Sequence, residues 1–184
     1  MTALADPEFD ALLDDYRLIE QGVARVMQTV CAPFCSVCPT PCCRTAICRE
    51  AAESPFLLAV HGSRVTFDTK AGYLGPTGCK LGVGRPPICH AFICNRIMSK
   101  QRDDEHRYAL DVLGELVGYL GKKVWLKRHL VEALDDADLR KADRDLFRTR
   151  IATATAALEI LEAYLAGERD LKPADFQVLH VIRK

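Results

Sequence analysis

CAPFCSVCPTPCCRTAIC, residues 31–48, carries six of the nine cysteines in the chain. The other three, Cys79, Cys89 and Cys94, follow in TGCKLGVGRPPICHAFIC, residues 77–94. Thiols at CxxC spacing reach one ion from a single turn without straining the backbone, so the two stretches read as two halves of one thiolate metal site. The candidate ligands are Cys35, Cys38, Cys42, Cys43, Cys79, Cys89 and Cys94, with Cys31 and Cys48 read equally well as ligands or as buried structural thiols. Zinc or iron, including iron in an iron–sulfur cluster, suits such donors, and spacing does not separate the two.

Within the first stretch, Pro33, Pro39 and Pro41 stiffen the backbone around the thiols. The doublet Cys42–Cys43 is informative. In extended backbone its side chains point in opposite directions, which suits two neighbouring sites or a polynuclear cluster. Arg44, Arg49, Arg85 and Arg96 flank the cysteines. A divalent ion with four thiolates carries a charge of about minus two, which nearby guanidiniums would offset. His61 and His90 are nitrogen-ligand candidates, His90 the better one beside Cys89, although a supporting or surface role is expected with so many thiols at hand. Glu50 and Glu53, on a short helix ending near Ser54 and Pro55, are expected at the surface rather than on metal.

Upstream of the cysteines, Asp6, Pro7 and Glu8 read as a helix start. From there Phe9, Leu12, Tyr16, Ile19, Val23, Val26 and Val30 recur every three or four residues and predict one apolar helix face, with Cys31 and Pro33 ending the helix. Between the cysteine stretches, Val65 to Asp68 alternates like a short strand, and the glycines and prolines from Gly72 to Pro87 exclude a long helix. Downstream, Tyr108, Val112, Leu116, Tyr119, Leu120 and Val124 predict a helix bearing a small-residue track, Gly114, Gly118 and Gly121, for close packing on another backbone. Lys122, Lys123, Lys127, Arg128 and His129 form a local basic run around Trp125 that suits a phosphate or an acidic partner, the favoured reading being a solvated helix face with Trp125 turned into the core. A charged connection at Asp135 to Asp145 leads to a last long helix from Phe147 to Leu165, stopped by Gly167; Phe176 to Ile182 reads as strand or helix, with a short helix begun at Pro173 the favoured reading.

The 184 residues fit one domain: an N-terminal helix (1–30), a cysteine-cluster core (31–96) and a helical remainder (97–184). The expected fold class is mainly α, a helical scaffold around an irregular cysteine-rich metal-binding core. Hydrophobic residues at 49% and charged residues at 27% are the composition of a globular protein. Lys plus Arg equals Asp plus Glu at 25 each, so no global field draws the chain to nucleic acid or to an anionic membrane, though a local basic patch is not excluded. The acidic opening MTALADPEFDALLDDY is not a secretory signal, and PFLLAV (55–60) is too short to span a bilayer. A cytoplasmic location follows as the expectation. There thiols stay reduced, and clustered cysteines speak for metal rather than disulfides.

Taken together, CSVCPTPCC and GCKLGVGRPPICHAFIC resemble the YkgJ-like cysteine-cluster family, described as a zinc- or iron-chelating domain. The resemblance runs from about Cys31 to Arg96 and matches Cys35, Cys38, Cys42 and Cys43, then Cys79, Arg85 with Pro86, Cys89 and Cys94. Family members often carry a further cysteine shortly before the one matched by Cys79. This chain has Tyr73 and Leu74 there, and Cys31 or Cys48 is the thiol available to take its place. The spacing Cys31xxxCys35xxCys38 also occurs in radical SAM enzymes, but those place it after the first strand of a partial barrel, and here a helix precedes it.

Two function classes remain. One is a binding, sensing or structural module with thiolate-held metal and a protein partner. The other is an iron–sulfur redox protein or cluster-dependent enzyme, by analogy with a cysteine-cluster methylase that modifies flagellin lysines. Neither a Ser/His/Asp or Cys/His arrangement nor a phosphate loop or dinucleotide fingerprint stands out, so no catalytic residue is assigned and the module is the favoured reading.

Overall fold

In the computed structural model, residues 6–39, 42–62, 65–76 and 78–183 are described, so the stiffening expected of Pro41 lies outside the described residues. Helix α1 spans Pro7–Cys35. It begins as its sequence requires: the Asp6 carboxylate accepts the Phe9 N–H at 3.1 Å, and Pro7 occupies the first turn. Phe9, Leu12, Tyr16, Ile19 and Val23 are buried, while Val26 and Val30 are only partly covered.

The helix does not stop at Cys31. It runs through Pro33 to Cys35, and the Ser36 N–H closes it on the Ala32 carbonyl at 3.0 Å. Proline removes one N–H and crowds the carbonyl four residues back, but in a last turn little helix remains to be disturbed. Cys31 and Cys35 therefore stand one turn apart on one face of α1.

Three long helices make the frame: α1, α6 (Asp104–Gly121) and α8 (Arg144–Leu165), with α9 (Pro173–Arg183) packed on α6 and α8. Asp103 and Asp143 cap α6 and α8 by accepting the His106 and Leu146 N–H groups at 2.7 and 2.9 Å. Gly167, at φ 75°, ends α8 in the left-handed conformation that glycine adopts at least cost. Helices α1 and α8 touch closely: a Cβ on Gly22 would lie 2.5 Å from Leu158 Cδ2. Phe9, Tyr16, Phe56 and Phe147 stack in the core, with the Tyr16 and Phe56 rings edge-on at 5.1 Å. Each such fully buried side chain contributes about 1.5–3 kcal/mol.

The cysteine-bearing segment lies between α1 and α6 in short pieces. These are α2 (Thr45–Glu53), α3 (Pro55–His61), a hairpin of β1 (Leu74–Gly75) and β2 (Gly78–Cys79), α4 (Ile88–Ala91) and α5 (Asn95–Met98). The hairpin is antiparallel and pairs Leu74 with Cys79 and Gly75 with Gly78. The strand expected at Val65 to Asp68 does not form. Asp68 instead closes a turn, its carboxylate accepting the Lys70 and Ala71 N–H groups at 2.8 and 2.7 Å, and its backbone meets Gly72 in a single bridge.

A second difference lies after α6. The basic run is not a helix face: α6 ends at Gly121, and 122–129 is a turn-rich loop leading to a 3₁₀ turn at Leu130–Glu132 and to α7 (Asp136–Leu139). Trp125 does enter the core, at 5% exposure. The fold is mainly helical around one continuous apolar core, and among the described residues no helix is long and apolar enough to cross a membrane.

Candidate metal centre

Glu20 organises the approach to the thiols. It lies on the buried face of α1 with no exposed surface, where an ionised carboxylate is costly unless its lone pairs are used. They are used by the second cysteine stretch: the Gly84 N–H donates at 2.7 Å, the Arg85 N–H at 2.9 Å and His90 Nε2 at 3.1 Å. One carboxylate thus fixes the backbone at Gly84 and Arg85, where the Arg-Pro-Pro segment begins, and the His90 ring just beyond Cys89. Gly84 is required on two counts. Its φ is 73°, and a Cβ there would stand 2.8 Å from His61 Cβ and 2.9 Å from the Leu57 carbonyl.

Neither histidine has its Nε2 free for a metal. His90 is buried on Glu20 rather than lying at the surface, and His61 is buried with Nε2 donating to the Ala51 carbonyl at 3.0 Å. Glu53 is exposed and pairs with Arg49 at 4.0 Å. Glu50 is half-buried, and burial, then the nearby Glu132 carboxylate, raises its pKa.

None of the nine cysteines forms a disulfide among the described residues. Cys31 and Cys35 close α1, Cys48 is buried on α2, Cys79 lies on β2, Cys89 on α4, and Cys94 leads into α5. Cys42 and Cys43 are exposed in the connection before α2. The thiols fall into two neighbourhoods. In the first, burial raises the Cys31 thiol to about 11, with further contributions from Cys35 and Cys94. Cys35 is raised by burial and then by Cys42, Cys94 and Cys38, against the opposing pull of Arg96.

In the second neighbourhood, Cys43 is raised by burial and then by Cys79, Cys48 and Cys42, with Arg85 pulling it down. Cys89 is open to solvent as a residue, yet the atoms packed around its thiol push it up to about 12, helped by Cys48, Cys79 and Cys43 and opposed by Arg85. The doublet bridges the two neighbourhoods, Cys42 acting on Cys35 as well as on Cys43, and Cys43 being acted on also by Cys79 and Cys48. The second neighbourhood is closely built around Cys48: Gly72, at φ 62°, leaves space that a Cβ would take only 2.8 Å from the Cys48 sulfur. Thr45 Oγ1 donates to the Lys70 carbonyl at 2.8 Å and ties the start of α2 to the same turn.

These thiols face one another without converging to bonding distance of a common point. Among the described residues no group of three or more His, Cys, Asp or Glu side chains stands close enough to hold a metal ion, so the expected metal-binding core is not assembled here. The donor set itself, soft and free of disulfides, is that of a thiolate site. Of the flanking arginines, Arg85 and Arg96 act on thiols, while Arg85 Nε also donates to the Leu81 carbonyl at 2.8 Å.

Sequence reading did not find Glu20 as part of this site, and it marked Gly72 and Gly84 only as part of the irregular, turn-rich approach to the cysteines, without the close contacts that require glycine there. Glu20 left a signal: it falls four residues after Tyr16 and three before Val23, a carboxylate inside the apolar stripe. Compared with known proteins, the chain matches no family model, no curated protein and no solved structure.

Proposed function

We propose that the chain is a metal-binding module whose thiolates hold zinc or iron. The observation that supports this most is the gathering of nine cysteines, none in a disulfide, from distant parts of the chain into two neighbourhoods where burial first, and neighbouring thiols second, disfavour the ionised thiolate. Like charges held together raise the free energy of the ionised state, and a soft cation relieves that repulsion while releasing the thiol protons. Coordination requires the sulfurs to draw closer than they stand, and the short elements between α1 and α6 are the part of the fold with least regular structure to resist this. Arg85 and Arg96 would offset the residual negative charge of a thiolate-bound ion. The motif resemblance to the YkgJ-like cysteine-cluster family points the same way, and nine cysteines without a disulfide would suit a reducing, cytoplasmic setting.

The test is elemental analysis with an absorption spectrum on protein purified without oxygen. Colourless protein with about two zinc ions per chain is the expected result for closed tetrahedral sites. Iron with matching sulfide and visible absorption would transfer the reading to an iron–sulfur protein. The double variant Cys42→Ser/Cys43→Ser should lose metal and melt at lower temperature. Protein that carries no metal, with an unchanged melting temperature in this variant, would overturn the proposal.

A further inference from the structure

The loop after α6 contains all the non-glycine residues at positive φ among those described: Lys123 at 64°, Leu126 at 45° and Lys127 at 65°. Residues with a Cβ adopt this backbone only at a cost, and Leu, unlike Asn, has no local hydrogen bond to offset it. Leu126 and Lys127 are the central pair of a tight turn. It is closed by Trp125 N–H to the Arg128 carbonyl at 3.2 Å and Arg128 N–H to the Trp125 carbonyl at 2.6 Å.

The base of the loop is fastened. Val124 is fully buried and its carbonyl accepts the Asp143 N–H at 2.8 Å, Trp125 is buried, and His129 Nε2 donates to the Gly118 carbonyl at 2.9 Å. The tip is not: Leu126 is 63% exposed and belongs neither to the apolar core nor to the side chains packed against it. Around it, Lys122, Lys123, Lys127 and Arg128 make no ion pair among the described residues, and Arg128 lies over the Trp125 ring at 6.0 Å. The nearest acids in the chain are engaged elsewhere: Glu132 accepts the His129 N–H, and Asp135 caps α7.

We propose that this loop docks the protein on an anionic lipid surface, with Leu126 entering the headgroup layer and the four cations meeting lipid phosphates and carboxylates. The residues KKVWLKR (122–128) offer point charges and one apolar tip, with no amide, hydroxyl or carboxyl side chain to read an individual partner. Such a tip suits a deformable array of like charges. Trp125 is buried, so no ring is presented on which a nucleic-acid base could stack. The overall charge balance does not oppose this, because the attraction is local and decays within about 10 Å.

The test is co-sedimentation of the full chain, purified without oxygen, with vesicles of pure phosphatidylcholine or with about one third phosphatidylserine. Binding to the second composition alone is expected, with release as salt rises from roughly 0.1 M to roughly 1 M. Lys127→Gln should weaken partitioning about five-fold. Leu126→Asn should weaken it too while holding or raising the melting temperature, because Asn tolerates the left-handed backbone. Absence of binding, equal binding to both compositions, or Leu126→Asn binding as tightly as wild type would overturn the proposal. Capture by poly-glutamate with vesicles ignored would also overturn it, and would assign the loop to an acidic protein.

Discussion

Tyr16 is wholly buried, yet its hydroxyl has no hydrogen-bond partner among the described residues. Burial, with Glu20 and Glu50 nearby, keeps the phenol protonated far above its usual range, so a neutral O–H is stranded in the core. Removing it relieves a desolvation cost and leaves no partner unpaired. Tyr16→Phe is therefore expected to stabilise the protein by about 1 kcal/mol, measured by urea denaturation. His129 is the opposite case, a polar ring with both nitrogens in use. Nε2 donates to Gly118 and Nδ1 accepts the Val131 N–H at 3.2 Å, which requires the neutral form. Its pKa is lowered, by burial first and also by Arg150. A depressed pKa means that the unfolded chain binds the proton more readily. The contribution is complete above the ordinary histidine value of about 6.5 and is lost as pH falls below it. Denaturation at a series of pH values should show stability falling on acidification, with a shallower fall in His129→Asn; His106, also lowered by burial, supplies a remainder of the same sign.

At the scale of the element, the glycines of α6 are not equivalent. The sequence suggests one small-residue track, but each position meets something different. Gly114 faces backbone, with its would-be Cβ 3.1 Å from the His90 carbonyl, whereas Gly118 has only Pro87 Cβ at 3.7 Å, an ordinary contact. At Gly121 a Cβ would lie 2.4 Å from His129 Cε1, within the ring that caps the 3₁₀ turn. An alanine in an open helix position is worth about 1 kcal/mol over glycine. Gly118→Ala should accordingly gain roughly that amount, while Gly121→Ala should lose about 1–3 kcal/mol by overpacking, and paired thermal melts would read the change of sign. Helices α1, α6 and α8 were legible because each carries a long apolar stripe and a start or stop signal, whereas the short apolar set of α9 fitted strand as well as helix and only Pro173 favoured the helix. The extension of α1 to Cys35, the helix α3 and the β1–β2 hairpin were not. Pro33 reads as a terminator, PFLLAV is apolar without period, and two-residue strands carry no alternation.

For the whole molecule, the candidate site was legible as a set of thiols but not as an arrangement. Spacing names Cys35, Cys38, Cys42 and Cys43, yet only the fold places Cys42 beside Cys94 through Cys35 and Cys43 beside Cys79. Glu20 was passed over because a carboxylate on a helix is ordinarily solvated, and its three donors lie far along the chain. Glu20→Gln keeps the shape but halves the acceptor capacity and turns an amide toward backbone N–H groups. A loss of about 2–3 kcal/mol in urea is expected, together with faster alkylation of Cys89 as its loop loosens. Unchanged stability and reactivity would mean that the carboxylate does not hold the loop.

The same carboxylate sets an order of events in time. Its donors are 64, 65 and 70 residues away, so closing that contact demands a long loop whose entropy must be lost first. In synthesis helix α1 emerges before that segment, with its acid still hydrated, and the Gly84–His90 segment reaches it only after the intervening chain has been made. Cys89, on that segment, consequently takes its final neighbours late in folding. During that interval the nascent chain is a flexible polythiol, open to metal, oxidants and chaperones before it is a protein with a fixed interior.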